Sequence, residues 1–509
     1  MSLNKRFVLR VRIITLVLVV SALLIVGRLW VLQVLHGTEY ERRADAQSVK
    51  LEDPLLNRGS IYFTAKDGTP VLAATLAAPS ASSSDQKQRY YPGGELAAQT
   101  LGFVAYNNDN EQKGRYGLES YYDSTLSRSG EDLYANFFVE LFGSVQSALG
   151  GSANQGDLIT TIEPTAQAEL ERELDAYDSA WHPKISGGIV MDPKTGEIVA
   201  MAERPSFDLN SFNMQSNPLI YQNALVQNVY EMGSIIKPLT LAAGLDSGSI
   251  NESETYNDTG CITVDTKKIC NYDFKARGVI PMQQILSQSL NVGASFVATQ
   301  MGPEVMRDYF LNHYKLGEET GIDLPGEIHG LAGNLSSNRQ VEFDTASFGQ
   351  GIAITPVETI RALASLGNGG YLVTPHVVKA VKEADGVVRT LGWGDPVQIL
   401  KPQTSTTISR MLTSVVDTSL ANGKLKLDHW SVAAKTGTAQ IADPVNGGYY
   451  SDKFLHSFFG YFPSFNPRFV IFLFAVEPQG APFASETWSQ PFGRLVQFLI
   501  NYYDIPPDR

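Results

Sequence analysis

At 509 residues the chain has room for two or three domains and a sizeable core, and 43% hydrophobic with 18% charged residues is ordinary for globular protein. Its 40 basic against 53 acidic residues leave a net charge of −13, which argues against a nucleic-acid partner. Seven histidines without His-Glu-x-x-His spacing, and two cysteines in no ligand cluster, give no reason to expect a metal or another cofactor.

The first twelve residues carry Lys5, Arg6, Arg10 and Arg12 and no acid. An uncharged run follows over 13–27, and apolar character resumes after Arg28 to residue 35. As a helix, 13–35 rises roughly 34 Å, enough for a hydrocarbon layer of about 30 Å. Arg28 lies near the far end, where it can snorkel beside Trp30. The basic residues before the span place 1–12 in the cytoplasm and everything after about His36 outside. The length of the run and the lack of an Ala-x-Ala site argue against a cleaved leader. The expectation is therefore a single-pass protein of a bacterial cell (inner) membrane with its chemistry extracytoplasmic.

Residues 36–155 are polar and turn-rich, with a low-complexity stretch over 77–86. Within them, 133–149 is unusually apolar, as for a partner- or membrane-facing helix or for core packing. The pattern then predicts a strand over 156–163 and an amphipathic helix from Pro164 to about Tyr177. Asp192-Pro-Lys-Thr-Gly196 reads as a hairpin turn between two apolar runs. The continuous apolar run 469–476 suits a strand covered on both faces. Strands at both ends of 156–509 with helices between them predict an α+β domain built on an antiparallel sheet.

Three short clusters in this domain carry chemistry. Ser234-Ile-Ile-Lys237 opens a helical run, placing the serine at a helix N-terminus and the lysine one turn on, on the same face. That lysine accepts a proton only when neutral, which burial and a second cation, for which Lys435 is the candidate, would favour. Alone, the cluster reads as readily as an N-capping serine with an exposed lysine. Ser289-Leu-Asn291 can aim a hydroxyl and an amide into one cleft only from a loop or helix end. Lys435-Thr436-Gly437-Thr438 sits among small and β-branched residues, where the glycine would let a peptide add alongside as a further strand. The lysine and the two threonine hydroxyls would then bind a carboxylate. Cys261 and Cys270 are the two ends of a ten-residue stretch that reads as a hairpin with a two-residue Asp265-Thr266 turn. That register sets them opposite each other as a disulfide, expected to stabilise by roughly 2–3 kcal/mol in the chain-entropy model.

With these clusters in this order, the chain resembles the class B penicillin-binding proteins, peptidoglycan D,D-transpeptidases of the division and sporulation type. Further matches are Arg58-Gly-Ser-Ile-Tyr62, Arg89-Tyr-Tyr-Pro92, Gly114-Arg-Tyr-Gly-Leu-Glu119, Arg204-Pro-Ser-Phe-Asp208 and Phe348-Gly-Gln-Gly351 with Thr355-Pro356. The resemblance implies a transpeptidase domain of the penicillin-binding-protein/β-lactamase type, with helices on both faces of its sheet. It would occupy 156–509, behind a reduced dimerisation-type pedestal over 36–155. By the same resemblance Ser234 attacks the penultimate D-Ala carbonyl of a stem peptide and Lys237 takes its proton. Ser289 relays a proton to the leaving D-Ala, and Asn291 holds the substrate amide. Lys435, Thr436 and Thr438 bind the terminal carboxylate, and the N–H groups of Ser234 and Thr438 form the oxyanion hole. β-Lactams would be covalent inhibitors. The interval between Arg58 and Arg89 is short where many relatives insert a larger subdomain. No glycosyltransferase domain fits before residue 156, so the resemblance also implies a separate polytopic membrane glycosyltransferase of the shape, elongation and division family. Two other readings share the clusters. One is a serine β-lactamase; the other is a β-lactam-binding sensor or non-catalytic scaffold that activates the glycosyltransferase.

Overall fold

The computed structural model describes residues 16, 19–21, 58–77, 88–106, 112–127, 155–383 and 385–509. The chain divides into two units, Met1–Leu56 and Asn57–Arg509. In the first, the four described residues are helical and exposed. The expected span at 13–35 otherwise lies outside the described residues, as does the apolar stretch 133–149. Among the described residues no helix is long and apolar enough to cross a membrane.

The second unit is organised around two sheets. The first has five antiparallel strands: β1 (Ile185–Met191), β2 (Ile198–Arg204), β3 (Ala433–Ala442), β4 (Tyr449–Phe462) and β5 (Phe469–Val476). Their spatial order is β3-β4-β5-β1-β2, so β3 is an edge. The turn between β1 and β2 is the predicted one: Asp192 Oδ1 accepts from Lys194 N, and Gly196 takes a φ of 84° that a side chain would resist. β5 lies inside the sheet and is buried from Phe469 to Ala475, which explains its unbroken apolar sequence.

Helices cover both faces. On one, α1 (Pro164–Trp181) and α6 (Ala484–Tyr502) pack together, with Tyr177 stacked on Trp488 at 3.7 Å between ring centroids. Phe492 of α6 stacks on Phe458 of β4. The other face carries α2 (Lys237–Ser247), α3 (Gln283–Ser287), α4 (Asn291–Arg307) and α5 (Pro402–Ser414). Ser409 of α5 reaches this face through a 2.9 Å hydrogen bond with Tyr461 of β4.

Two boundaries differ from expectation. The strand predicted over 156–163 ends at Thr160, because Glu163 turns to cap α1, its carboxylate accepting from Ala166 N at 2.6 Å. Helix α1 runs four residues past Tyr177 to Trp181, where His182 adopts a left-handed conformation and donates to Asp178 O. The apolar stripe Ala166, Leu170, Leu174 and Tyr177 is fully buried along it.

The second sheet has six strands, in the order 388–390, 378–383, 156–160, 61–64, 70–77 and 88–90. It therefore takes strands from both sides of residue 155. Behind it the family-like segments converge: Arg58 Nε and Arg89 Nε donate to the two carboxylate oxygens of Glu119 at 2.7 and 2.6 Å, and all three side chains are buried.

Candidate active site

Ser234 lies in a single 3-10 turn, Gly233–Ile236, that runs straight into α2. Gly233 enters the turn at a φ of 66°, and its N–H donates to Gly349 O. The turn is seated on β3 and β4. Ser457 Oγ donates to Met232 O at 2.8 Å, and a Cβ on Gly437 would stand only 2.6 Å from that same carbonyl oxygen. Gly437 is thus needed on the serine side. Its missing side chain admits the turn carrying Ser234, not the approaching peptide that the sequence suggested. A peptide can still pair with β3, because β3 is a sheet edge.

Lys237 is completely buried, and its Nζ lies 2.9 Å from Ser234 Oγ. It donates to Ser289 O at 2.6 Å and stands 3.3 Å from Ser289 Oγ. Lys435 Nζ, also buried, donates to Ser289 Oγ at 3.0 Å and to Thr436 O at 2.8 Å. One hydroxyl thus stands between two lysines. Burial first, and then the charge of Lys435, hold Lys237 well below the ordinary lysine range. Burial pushes Lys435 down to about 7. Burial and the neighbouring cation thus both favour the neutral amine of Lys237, the form that can take the serine proton.

Ser289 owes its placement to a helix stop. Its φ is 56°, its N–H bonds to Leu286 O and that of Leu290 to Ile285 O. This is the double bond of a helix C-terminus, with serine where glycine usually sits. A left-handed serine costs some backbone energy, consistent with a position retained for its hydroxyl. α4 then begins at Asn291, whose Nδ2 donates to Cys270 O at 3.0 Å, leaving its Oδ1 as an acceptor for substrate. Cys270 lies directly opposite Cys261 in a hairpin turned by Asp265 and Thr266, and the two sulfurs are bonded.

Thr436 and Thr438 are half-buried on β3. Thr438 Oγ1 already accepts from Ala484 N at the start of α6, so it meets a carboxylate as a donor. Three contributors escaped the sequence reading. Ser457 follows His456 as a polar pair in the inner, largely apolar half of β4. Asn271 adjoins Cys270 and accepts from Val292 N at 3.1 Å, and Glu231 stands just before the Ser234 turn. Only Ser457 had a signal, the polar pair His456-Ser457 that interrupts an apolar run. Among the described residues, no group of acids, histidines and cysteines suits a metal ion.

Comparison with known proteins shows the family of this domain. Residues 187–494 match the penicillin binding protein transpeptidase domain. Stage V sporulation protein D of Bacillus subtilis is 30% identical over 401 residues, 77% of this chain and 60% of that protein. The peptidoglycan D,D-transpeptidase FtsI of Escherichia coli is 26% identical over 459 residues, 89% of this chain and 74% of that one. Among solved structures, penicillin binding protein 3 of Mycobacterium tuberculosis superposes with a TM-score of 0.76 at 25% identity, covering 89% of this chain and 97% of that chain. The same protein complexed with ampicillin superposes at 0.75, with 26% identity and 89% and 96% coverage.

Proposed function

The chain belongs to the penicillin-binding protein transpeptidase family, and from that premise we propose that it is a peptidoglycan D,D-transpeptidase acting through a serine acyl-enzyme. The observation that carries this reading is the buried, neutral-leaning Lys237 at 2.9 Å from Ser234 Oγ, beside a second buried lysine. Neutral Lys237 takes the hydroxyl proton as Ser234 Oγ bonds to the penultimate D-Ala carbonyl carbon. Negative charge on the carbonyl oxygen faces the N–H groups of Ser234 and Thr438. The proton passes through the Ser289 hydroxyl to the nitrogen of the terminal D-Ala as the peptide bond breaks. An amine from a second stem peptide then bonds to the ester carbonyl, its proton returns to Ser234 Oγ, and a cross-link replaces the D-Ala. Lys435, Thr436 and Thr438 hold the terminal carboxylate, and Asn291 orients the substrate amide. β-Lactams enter the same path as covalent inhibitors.

This reading also carries a membrane anchor at 13–35 with the transpeptidase unit outside the cytoplasm, supported by the basic residues before the span. It pairs the enzyme with a separate polytopic glycosyltransferase that supplies glycan strands. Given lipid-linked stem peptides, the purified full chain should release D-Ala and form cross-links, and a fluorescent penicillin label should persist for many minutes. Label lost within seconds would make the protein a β-lactamase. Persistent label without D-Ala release would make it a sensor or scaffold.

A further inference from the structure

The two N–H groups that face the developing charge come from different elements, Ser234 from the 3-10 turn and Thr438 from β3. Their separation is therefore set by packing, and one side chain touches both carriers. Ser457 of β4 is completely buried and stands directly opposite Gly437 in the β3–β4 register. Its hydroxyl donates to Met232 O at 2.8 Å, at the root of the turn, and lies 3.4 Å from Gly437 O. A Cβ on Gly437 would fall 2.3 Å from that hydroxyl oxygen and 3.2 Å from Ile235 N, so the glycine leaves the space in which hydroxyl and turn meet. A Cβ on Gly233, in turn, would stand 3.3 Å from the carbonyl carbon of Thr438. Turn and strand are thus in backbone contact, with the Ser457 hydroxyl at their seam.

The peptide unit matters as much as the contact. Gly437 C=O and Thr438 N–H belong to one planar trans unit and point opposite ways. A carbonyl turned toward β4 therefore aims the Thr438 N–H out of the free edge of the sheet, where the reacting carbonyl arrives. Resting on the transpeptidase reading, we propose that Ser457 is a positioning residue for the oxyanion hole. Through Met232 O and Gly437 O it fixes the spacing between the Ser234 and Thr438 N–H groups. Both of these contacts are to backbone carbonyls, so the effect falls on geometry and not on proton transfer. Donors held ready for charge that develops only in the transition state speed the chemical step and leave ground-state binding alone.

The test follows acylation of the full chain by benzylpenicillin over a range of concentrations, which separates initial binding from the first-order acylation rate constant. That constant does not depend on the fraction of a variant that folds. Ser457→Ala displaces the donors without deleting one, so it should lower the constant by about 10–100-fold, against about 10²–10³-fold for outright loss of a donor. Initial binding should stay within about twofold of the wild type. Ser457→Thr keeps a hydroxyl and suits a strand, so it should recover most of the loss. The pH profile of Ser457→Ala should keep the wild-type shape at a lower height, because both lysines are intact. A boronic acid that bonds to Ser234 as a tetrahedral adduct places an oxygen in the same hole, and its affinity should fall by about the same factor as the rate constant. An unchanged rate constant in Ser457→Ala, a loss confined to initial binding, or a displaced pH limb would overturn the proposal. Wild-type protein that forms no acyl-enzyme would instead count against the transpeptidase reading.

Discussion

Replacing Lys237 with methionine should slow acylation by penicillin about 10²–10⁴-fold, the usual contribution of a positioned general base. Methionine fills a similar slot without a charge, so the fold should be as stable or more so, because burying an ammonium is costly. Deprotonated Lys237 is the active form, so acylation rises with pH through its pKa, which burial and Lys435 hold well below the ordinary lysine range. Lys435 must be cationic to draw the carboxylate, and its pKa of about 7 in the free enzyme gives the second-order rate a falling limb above that pH. The profile should therefore be bell-shaped. Lys435→Arg, whose guanidinium does not lose its proton, should remove the falling limb. A rate that climbs steadily to about pH 10, the ordinary lysine range, would show that Lys237 is not perturbed.

The second large effect is structural. Glu119→Ala should lower the free energy of unfolding by about 3–5 kcal/mol, because it removes the carboxylate that two buried guanidinium groups share. Arg58 donates to Glu119 through Nε and, through its other nitrogens, to Glu119 O and to Asp123, while Arg89 also holds Gly59 O. Removing the carboxylate leaves Arg89 without its counter-charge and Arg58 with Asp123 alone, in a water-poor site. Denaturant unfolding of the variant against the wild type measures the difference. A loss below about 1 kcal/mol, the scale of a surface pair, would mean that water reaches the cluster in solution.

These two sites show what a sequence gives up readily and what it withholds. Lys237 was legible because its partner is three residues away and one helical turn fixes the geometry. The hairpin closing Cys261 on Cys270 was legible for the same reason, since a two-residue turn sets the register. β5 was legible from its unbroken apolar run, and the two faces of helices followed from the family resemblance. Glu119 was not: its arginines lie 61 and 30 residues back, and the three segments could be matched to a family without revealing that they meet. Nor could spacing show that strand 378–383 pairs with 156–160, or that Asn291 gives its amide to Cys270. Gly437 was noticed for the right property and given the wrong neighbour. Periodicity tells that a backbone can be approached closely, but only the packed sheet tells that Met232 O is what approaches.

The acyl-enzyme rests on one covalent bond to Ser234, and mass spectrometry of the penicillin adduct tests it most directly. The full chain is labelled, digested, and its peptides are searched for the added mass. The adduct should lie on Ser234 alone, and Ser234→Ala should take up no label. Ser234 is the serine held 2.9 Å from a buried lysine at the start of a helix. An adduct mapped to another serine, or label persisting in Ser234→Ala, would contradict it.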